Sequence, residues 1–514
     1  MQDGYVLAMF DIRGKQKYIY NTSKMKEIIA ASEIIRDCFK DYLYPAAIRY
    51  RNTLSTKNRS AEPAIYNYEE ERDQTFSFEA FEQRMMGRQY IGEVVYSGGG
   101  NFLVLFQNEE ICRNVNKAFS RAVLVGTASL RVLCTFISGI DKEYYHSDPH
   151  SGRKGDQERL YALHAINEDQ EPALQGFGTL PIVQVDRKTS QPLTSLRVVE
   201  KDTQPEKITS EAAAKYDKYY YKVNHNQDWY GEKVLDALLE KKGEDSLLAI
   251  IYIDGNNMGA RVQECLEGKH TYDECINELR RFSAEIQKVF IDDRMPQIDR
   301  MLAEKDRNRR LVVGAGDEIT VICNAHDAFC LATEYLKLLP LEQHYSSCAG
   351  ISIFHSHTSF AEAYRIAEEC CENGKKRMKE AKVKNACFLD FHYCQGAIGV
   401  SLEEIRREEG TKGSLPWFVC GDEEETSAKD YELLTDVEKT VNSLRMFGRS
   451  NVKGLLEAAR KGGLAFEKEI RRIEAHMEPK KRSEVDFNWF YSDKSRKAKL
   501  VADIVRVYDL WFRE

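Results

Sequence analysis

No apolar run in the sequence approaches the ~20 residues of a membrane-spanning helix. The start, Met1-Gln2-Asp3-Gly4, lacks the basic and apolar segments of a signal peptide. No membrane partner is expected, and a cytoplasmic location is. The 13 cysteines contain no C-x-x-C pair; they are scattered, mostly within apolar runs, with Cys370 and Cys371 adjacent. That pattern argues against a disulfide framework and against a zinc site, and fits reduced thiols. Positive charge is not in excess either. A net charge of −8 argues against a general nucleic-acid coat and leaves only local basic patches such as Lys480-Lys481-Arg482. What is there is a globular balance, 42% hydrophobic and 30% charged, over 514 residues. At roughly 150 residues per domain this suggests three or four domains.

The chemistry concentrates in two stretches. Leu247-Leu248-Ala249-Ile250-Ile251-Tyr252-Ile253 is short, branched and glycine-bounded, which is the pattern of a buried strand. It ends on Asp254, and Gly255-Asn256-Asn257-Met258-Gly259 then opens a helix. Further on, Leu311-Val312-Val313 turns through Gly314-Ala315-Gly316, shows Asp317-Glu318, and returns as Ile319–Cys323. This is a hairpin with acids at its tip and glycines that permit positive φ. Laid side by side, the two strands bring Asp254, Asp317 and Glu318 to one edge. Three carboxylates together repel, and a hard divalent cation, Mg²⁺ or Mn²⁺, relieves that cost while leaving positions open for phosphates. Backbone N–H groups after Asp254 suit a triphosphate. The alternative is a strand end and an acidic turn on a solvated edge.

The same order occurs earlier. Val6-Leu7-Ala8-Met9-Phe10 is a strand ending on Asp11, and helical spacing over 24–40 follows. Tyr96-Ser97-Gly98-Gly99-Gly100-Asn101 is a second glycine turn, leading into Phe102–Phe106, a helix near Ile111–Val125 and a strand at Leu130–Ile137. Residues 51–88 read as a polar insertion. Around the later Asp254, helices at Tyr272–Phe290 and Ala325–Leu339 and a strand at Cys348–Phe354 complete the matching unit. Strand-helix-strand twice over is the ferredoxin-like plan. The first copy carries Asn101 where the second carries acids, so it is suited to hold a nucleotide and poorly suited to hold metal. The expected class is α+β: a first palm-type domain over 1–145, a linker or insert over 146–245, a second, catalytic palm over 246–400, and a helical domain over 401–514. The long helix Ala361–Ala381 carries Gly374-Lys375-Lys376. A lysine there can reach a bound triphosphate; the alternative is a solvated helix end whose cations complement the dipole.

These residues resemble the large polymerase-cyclase subunit of type III CRISPR effector complexes, over most of 4–140 and 246–390. Asp11-Ile12-Arg13-Gly14-Lys15-Gln16-Lys17-Tyr18-Ile19, with Ala31-Ser32-Glu33, is similar to the opening of that family's first palm. Tyr96–Asn101 resembles its degenerate hairpin, and Asp254–Gly259 with Phe282-Ser283 the second palm's opening and helix serine. Ala315-Gly316-Asp317-Glu318 stands where the family has G-G-D-D. The resemblance implies a cyclic oligonucleotide synthase that joins ATP molecules into cyclic (oligo)adenylate messengers for antiviral defence. A ribose hydroxyl attacks an α-phosphate and pyrophosphate leaves. It further implies that Asp254, Asp317 and Glu318 hold two metal ions, and that Gly255, Asn256, Asn257, Met258 and Lys375 or Lys376 hold the donor triphosphate. Asp11, Ser32, Gly98, Gly99 and Asn101 would line the other nucleotide's site, with Ser283 on a base or ribose.

Three departures accompany the resemblance. The sequence opens directly on the first palm, so an HD-type nuclease ahead of it is not expected. The stretch Pro181–Pro192, where relatives carry zinc-binding cysteines, has none. G-G-D-D has become A-G-D-E, and glutamate is a competent ligand. A compact relative is implied, whose partners are ATP or another NTP and either subunits of an RNA-guided complex or further copies of itself. Two other readings remain: a catalytically silent scaffold or nucleotide sensor in an RNA-guided assembly, and a GTP-using enzyme like diguanylate cyclases.

Overall fold

The computed structural model describes residues 4–22, 24–54, 62–72, 75–87, 89–98, 101–147, 152–170, 182–187, 189–197, 205–225, 238, 246–305, 307–356, 358–394, 399–408, 413–422 and 431–511. The chain divides into two units, Met1–Val234 with Asn257–Lys288, and Leu235–Asn256 with Val289–Glu514. Both are mixed α+β, and each is built around one strand buried along nearly its whole length.

In the first unit that strand is β1 (Val6–Arg13), whose Val6 through Phe10 are fully buried. With β2 (Ile65–Asn67), β3 (Gly92–Gly98), β4 (Asn101–Phe106) and β5 (Arg131–Ser138) it forms a sheet of order β2-β3-β4-β1-β5. β1 runs antiparallel to both β4 and β5. The helices Met25–Arg36 and Glu109–Thr127 fall in the two expected places, the second started by the Asn108 side chain accepting from Ile111 N–H at 2.9 Å. Residues 51–88 are not merely a polar insertion. They include β2 and the helix Phe78–Met86, and Phe76, Phe78, Phe81 and Met85 enter the core with Leu7 and Met9. The four apolar anchors are spread through a charged stretch, so composition hid them.

The helix Tyr272–Gln287 belongs to this first unit. Thr271 and Glu274 cap it reciprocally, and Tyr272, Cys275, Ile276 and Leu279 join the same core cluster. Each apolar side chain removed from water in this way contributes about 1.5–3 kcal/mol. The region read as a linker contributes the helices Asp156–Asp169 and Ser210–His225 and the hairpin β6 (Leu193–Arg197) with β7 (Glu206–Thr209).

In the second unit the buried strand is β8 (Leu247–Gly255). The sheet continues through β9 (Arg309–Ala315), β10 (Glu318–Asn324), β11 (Ser347–His355), β12 (Ala386–Tyr393), β13 (Trp417–Gly421) and β14 (Glu432–Leu433), in the order β14-β13-β12-β11-β8-β10-β9. β8 is antiparallel to β10 and β11. The β11–β12 pair is parallel, which requires a crossover, and the helix Phe360–Glu380 supplies it. Beyond residue 402 the chain is not purely helical, because β13 and β14 extend the sheet; two to five residues carry too little periodicity to reveal a strand. The helices Leu434–Phe447, Arg449–Arg460, Gly463–His476 and Lys494–Arg506 follow within the stretch expected to be helical. Among the described residues no helix is long and apolar enough to cross a membrane.

Candidate active site

In the second unit, β8 delivers Asp254 at its end, and the β9–β10 hairpin turns through Gly316, at φ 63°, and Asp317. Ile253 lies opposite Ile319 and Tyr252 opposite Thr320. One further step of that register sets Glu318 across from Asp254. Asp317 itself lies in the turn between β9 and β10, outside the ladder. It packs against Gly255, where a Cβ would lie 2.7 Å from its Oδ2 and 2.8 Å from its Cβ. Burial and the neighbouring charge of Asp254 push the Asp317 carboxyl up to about 6. Tyr252 reports the same crowding: burial first, then the charges of Glu318 and Asp254, drive its phenol well above the ordinary range.

The counter-charge comes from the helix Phe360–Glu380. A Cβ on Gly350 of β11 would lie 1.9 Å from the Ala367 carbonyl oxygen and 2.5 Å from Cys371 N, so glycine is what lets this helix lie directly on the strand. The close approach brings the Lys375 ammonium onto Asp254, with a further hydrogen bond to the Gly255 carbonyl at 3.1 Å. Burial alone would lower this lysine's pKa, but the charge and hydrogen bond of Asp254 outweigh it and hold it above the usual value. Lys376, one residue on, is exposed. Asn256 is buried; its backbone N–H donates to the Ser346 carbonyl at 2.9 Å, and its Nδ2 to Ser346 Oγ at 3.0 Å and the Ala386 carbonyl at 2.9 Å. Those bonds fix the turn after Asp254, and Asn256 Oδ1 is left without a protein partner.

In the first unit, Asn257 begins the helix Met258–Leu266 in the left-handed region at φ 58°. Ser283 donates to the Ser97 carbonyl at 3.2 Å, and a Cβ on Gly98 would lie 2.8 Å from Ser283 Oγ. Arg280 anchors the same helix face by donating to the carbonyls of Val94 and Val95 at 2.9 and 3.0 Å. The serine expected to serve the second palm thus sits on the first hairpin. Ser32 is half-buried on Met25–Arg36. Gly99 lies outside the described residues, and of Asn101 the backbone pairing with Asp11 is what is described. Asp11 accepts from Arg13 at 2.9 Å and pairs with Lys15 at 3.3 Å, and Arg13 also pairs with Glu168.

Among solved structures, this chain superimposes on a Csm1–Csm4 cassette in complex with pppApApA, with a TM-score of 0.54, 11% identity, and coverage of 100% of this chain and 70% of that one. A Csm1–Csm4 subcomplex of the type III-A CRISPR–Csm interference complex gives 0.54 at 12% identity, covering 99% and 70%. Csm1 in T. onnurineus gives 0.50 at 13% identity, also covering 99% and 70%. This chain has the Csm1 fold. No protein-family model matches its sequence, and no curated protein matches it.

Two parts of this Csm1-like chain escaped the sequence reading. Glu368 stands seven residues before Lys375, hence on the same helix face, and burial, Glu372, Glu369 and then Asp254 raise its pKa. The spacing was the available signal. The other is around Asp11: among the described residues, one group of three ligand-type atoms lies mutually within 4.8 Å, formed by Asp11, His164 and Glu168. Asp254, Asp317 and Glu318 are not grouped that tightly. Thr135 Oγ1 holds His164 Nδ1 at 3.0 Å, but Arg13 already pairs with both acids of the group, and Lys15 with Asp11. The positive charge of Arg13 stands where a cation would. Asp254 and Asp317 meet with one lysine beside them and Glu318 at the adjoining strand position, an all-oxygen donor set of the type a hard divalent ion takes.

Proposed function

We propose that this chain is a metal-dependent nucleotidyltransferase that joins ATP molecules into cyclic oligoadenylate. The observation that carries this reading is the crowding of Asp254 and Asp317 beside Lys375, at the end of a buried strand, in a chain with the Csm1 fold. Solved Csm1–Csm4 cassettes are described in complex with pppApApA and with cA4, and that ligand class comes to this chain as part of the proposal.

Asp254, Asp317 and Glu318 would hold Mg²⁺ or Mn²⁺, which neutralises phosphate charge and polarises the attacked phosphorus. The chain's own residues do the positioning. Gly255 leaves the backbone bare so that Asp317 and a phosphate can approach it, and Asn256 holds that turn rigid. Lys375, with Lys376, meets the donor triphosphate, and Asn257 and Met258 offer helix-opening N–H groups. Asp11, Ser32, Gly98, Gly99, Asn101 and Ser283 receive the second nucleotide. In the joining step a ribose hydroxyl of one nucleotide attacks the α-phosphate of another in line, and pyrophosphate leaves. Each of the two units supplies a palm, the first one lacking acids in its hairpin.

The test is incubation of the purified chain with each NTP, alone and mixed, with Mg²⁺ or Mn²⁺, and resolution of the products by mass spectrometry. A cyclic adenylate that disappears in the Asp317→Ala/Glu318→Ala double variant supports the reading. ATP binding that is unaltered by metal and by the double variant, with no product, refutes it.

A further inference from the structure

Where β12 and β13 run antiparallel, two thiols face each other. Cys387 and Cys420 are directly opposite in register. Their sulfurs approach a single carbonyl oxygen, that of Leu336, at 4.0 and 3.6 Å. The two differ in burial: Cys387 is fully buried, and Cys420 is half-buried. They also differ in acidity. Donation to Cys420, together with burial, holds the Cys387 thiol well above the ordinary range. Accepting that hydrogen bond, against the opposing effect of burial and with Lys337 nearby, holds Cys420 below it. The less buried, more acidic sulfur is the one an oxidant meets first, and the buried sulfur directly across the ladder is placed to displace the oxygen it acquires.

We propose that Cys387 and Cys420 are a reversible redox pair that closes to a disulfide when a hydroperoxide oxidises Cys420. The Cys420 thiolate attacks the peroxide oxygen; the O–O bond breaks, alkoxide or hydroxide leaves, and a sulfenic acid remains. The Cys387 sulfur then displaces the sulfenic oxygen, which departs as water with the Cys387 proton. Two electrons pass from the sulfur pair to the peroxide, and one S–S bond forms. Directly opposed residues have Cβ atoms about 4.5–5.5 Å apart, and a disulfide wants about 3.5–4.5 Å. The strands therefore close by about 1 Å on oxidation. The ladder shift between Cys387 and Phe388 gives them slack to do so. The bond forms one residue from the Ala386 carbonyl that holds Asn256, so oxidation acts on the strand that fixes the turn after Asp254.

The first unit contains an internal reference. Cys112 and Cys134 are also in hydrogen-bond contact, but they join a helix to a strand, and the half-buried Cys134 is held well above the ordinary thiol range. They are expected to stay reduced.

The experiment uses the full chain, reduced, desalted and titrated with hydrogen peroxide. It is then unfolded, blocked with N-ethylmaleimide, digested without reductant and mapped by mass spectrometry. Expected are the loss of maleimide label at Cys387 and Cys420 alone and a linked peptide joining them, both reversed by dithiothreitol. Cys387→Ser should lose the linked peptide and leave Cys420 as a sulfenic acid that dimedone captures. Cys420→Ser should leave Cys387 labelled at every dose. The proposal is overturned if wild-type Cys387 and Cys420 stay labelled while other cysteines oxidise. It is equally overturned if Cys420 advances to sulfinic acid with Cys387 still labelled. The wild-type map decides the matter even if a variant folds poorly.

Discussion

Asp317 rests against the bare α-carbon of Gly255, so close that a methyl group there would come within 2.7 Å of its carboxylate oxygen. Gly255→Ala is therefore expected to push the carboxylate away from Asp254. Overpacking of this kind costs about 1–3 kcal/mol. Nucleotide joining should fall by more than about tenfold, because a reacting group moved by a fraction of an ångström loses much of its positioning. Thermal melting alongside a product assay measures both. Full activity with an unchanged melting temperature would mean that the contact is irrelevant.

A second expectation concerns pH. In the folded chain the Asp317 carboxyl takes up its proton at about 6 rather than near 3.8. Between those values the folded state holds more protons than the unfolded one, so metal-free stability should fall as pH rises through that window. A divalent cation binds the ionised carboxylate and competes with the proton. Affinity for Mn²⁺ should thus weaken as pH drops below about 6. Calorimetric titrations one unit above and one unit below that value test this, with Asp317→Asn expected to flatten the dependence. Affinity that does not change across the window would remove Asp317 from the metal site.

Lys375 contributes charge as well as packing. In Lys375→Met, Asp254 loses its counter-charge and the Gly255 carbonyl a donor. The pair is partly solvated, so the stability loss should be modest, on the order of 1 kcal/mol. Mn²⁺ should then raise the melting temperature of the variant more than that of the wild type, while ATP binds more weakly. A variant that melts and binds ATP as the wild type does would return this lysine to the solvated helix surface.

Arg13 offers the converse case. It stands between Asp11 and Glu168, with His164 completing the group. Arg13→Gln leaves two carboxylates and an imidazole facing one another, with Lys15 still paired to Asp11. The variant is expected to lose stability and to regain it on addition of Mn²⁺ or Zn²⁺, with little response from the wild type. Differential scanning fluorimetry across a metal series reads the difference. A variant indifferent to every divalent ion would show that the three side chains separate once the arginine is gone.

How much of this was legible beforehand differs by element. The runs ending at Asp11 and Asp254 are buried central strands, and such strands announce themselves as continuous apolar stretches without needing a partner to be known. The glycine-tipped hairpin at Asp317 was equally plain, because its turn chemistry is local. The fate of Tyr272–Gln287 was not. Periodicity shows that a helix has an apolar face and says nothing about which sheet it meets, and Ser283 accordingly lies at Ser97. β13 was missed because five residues do not establish a period. The cluster at Asp11 was invisible because His164 and Glu168 come from a helix more than a hundred residues away in the chain.

The absent side chain of Gly350 has a mechanical consequence. With the helix backbone in direct contact with β11 at Ala367 and Cys371, no layer of side chains is left to slide. The ammonium of Lys375 and the carboxylate of Asp254 are thereby carried on neighbouring pieces of one stiff lever. Any signal that switches such a centre has to move acid and base together, or act by delivering a substrate that parts them.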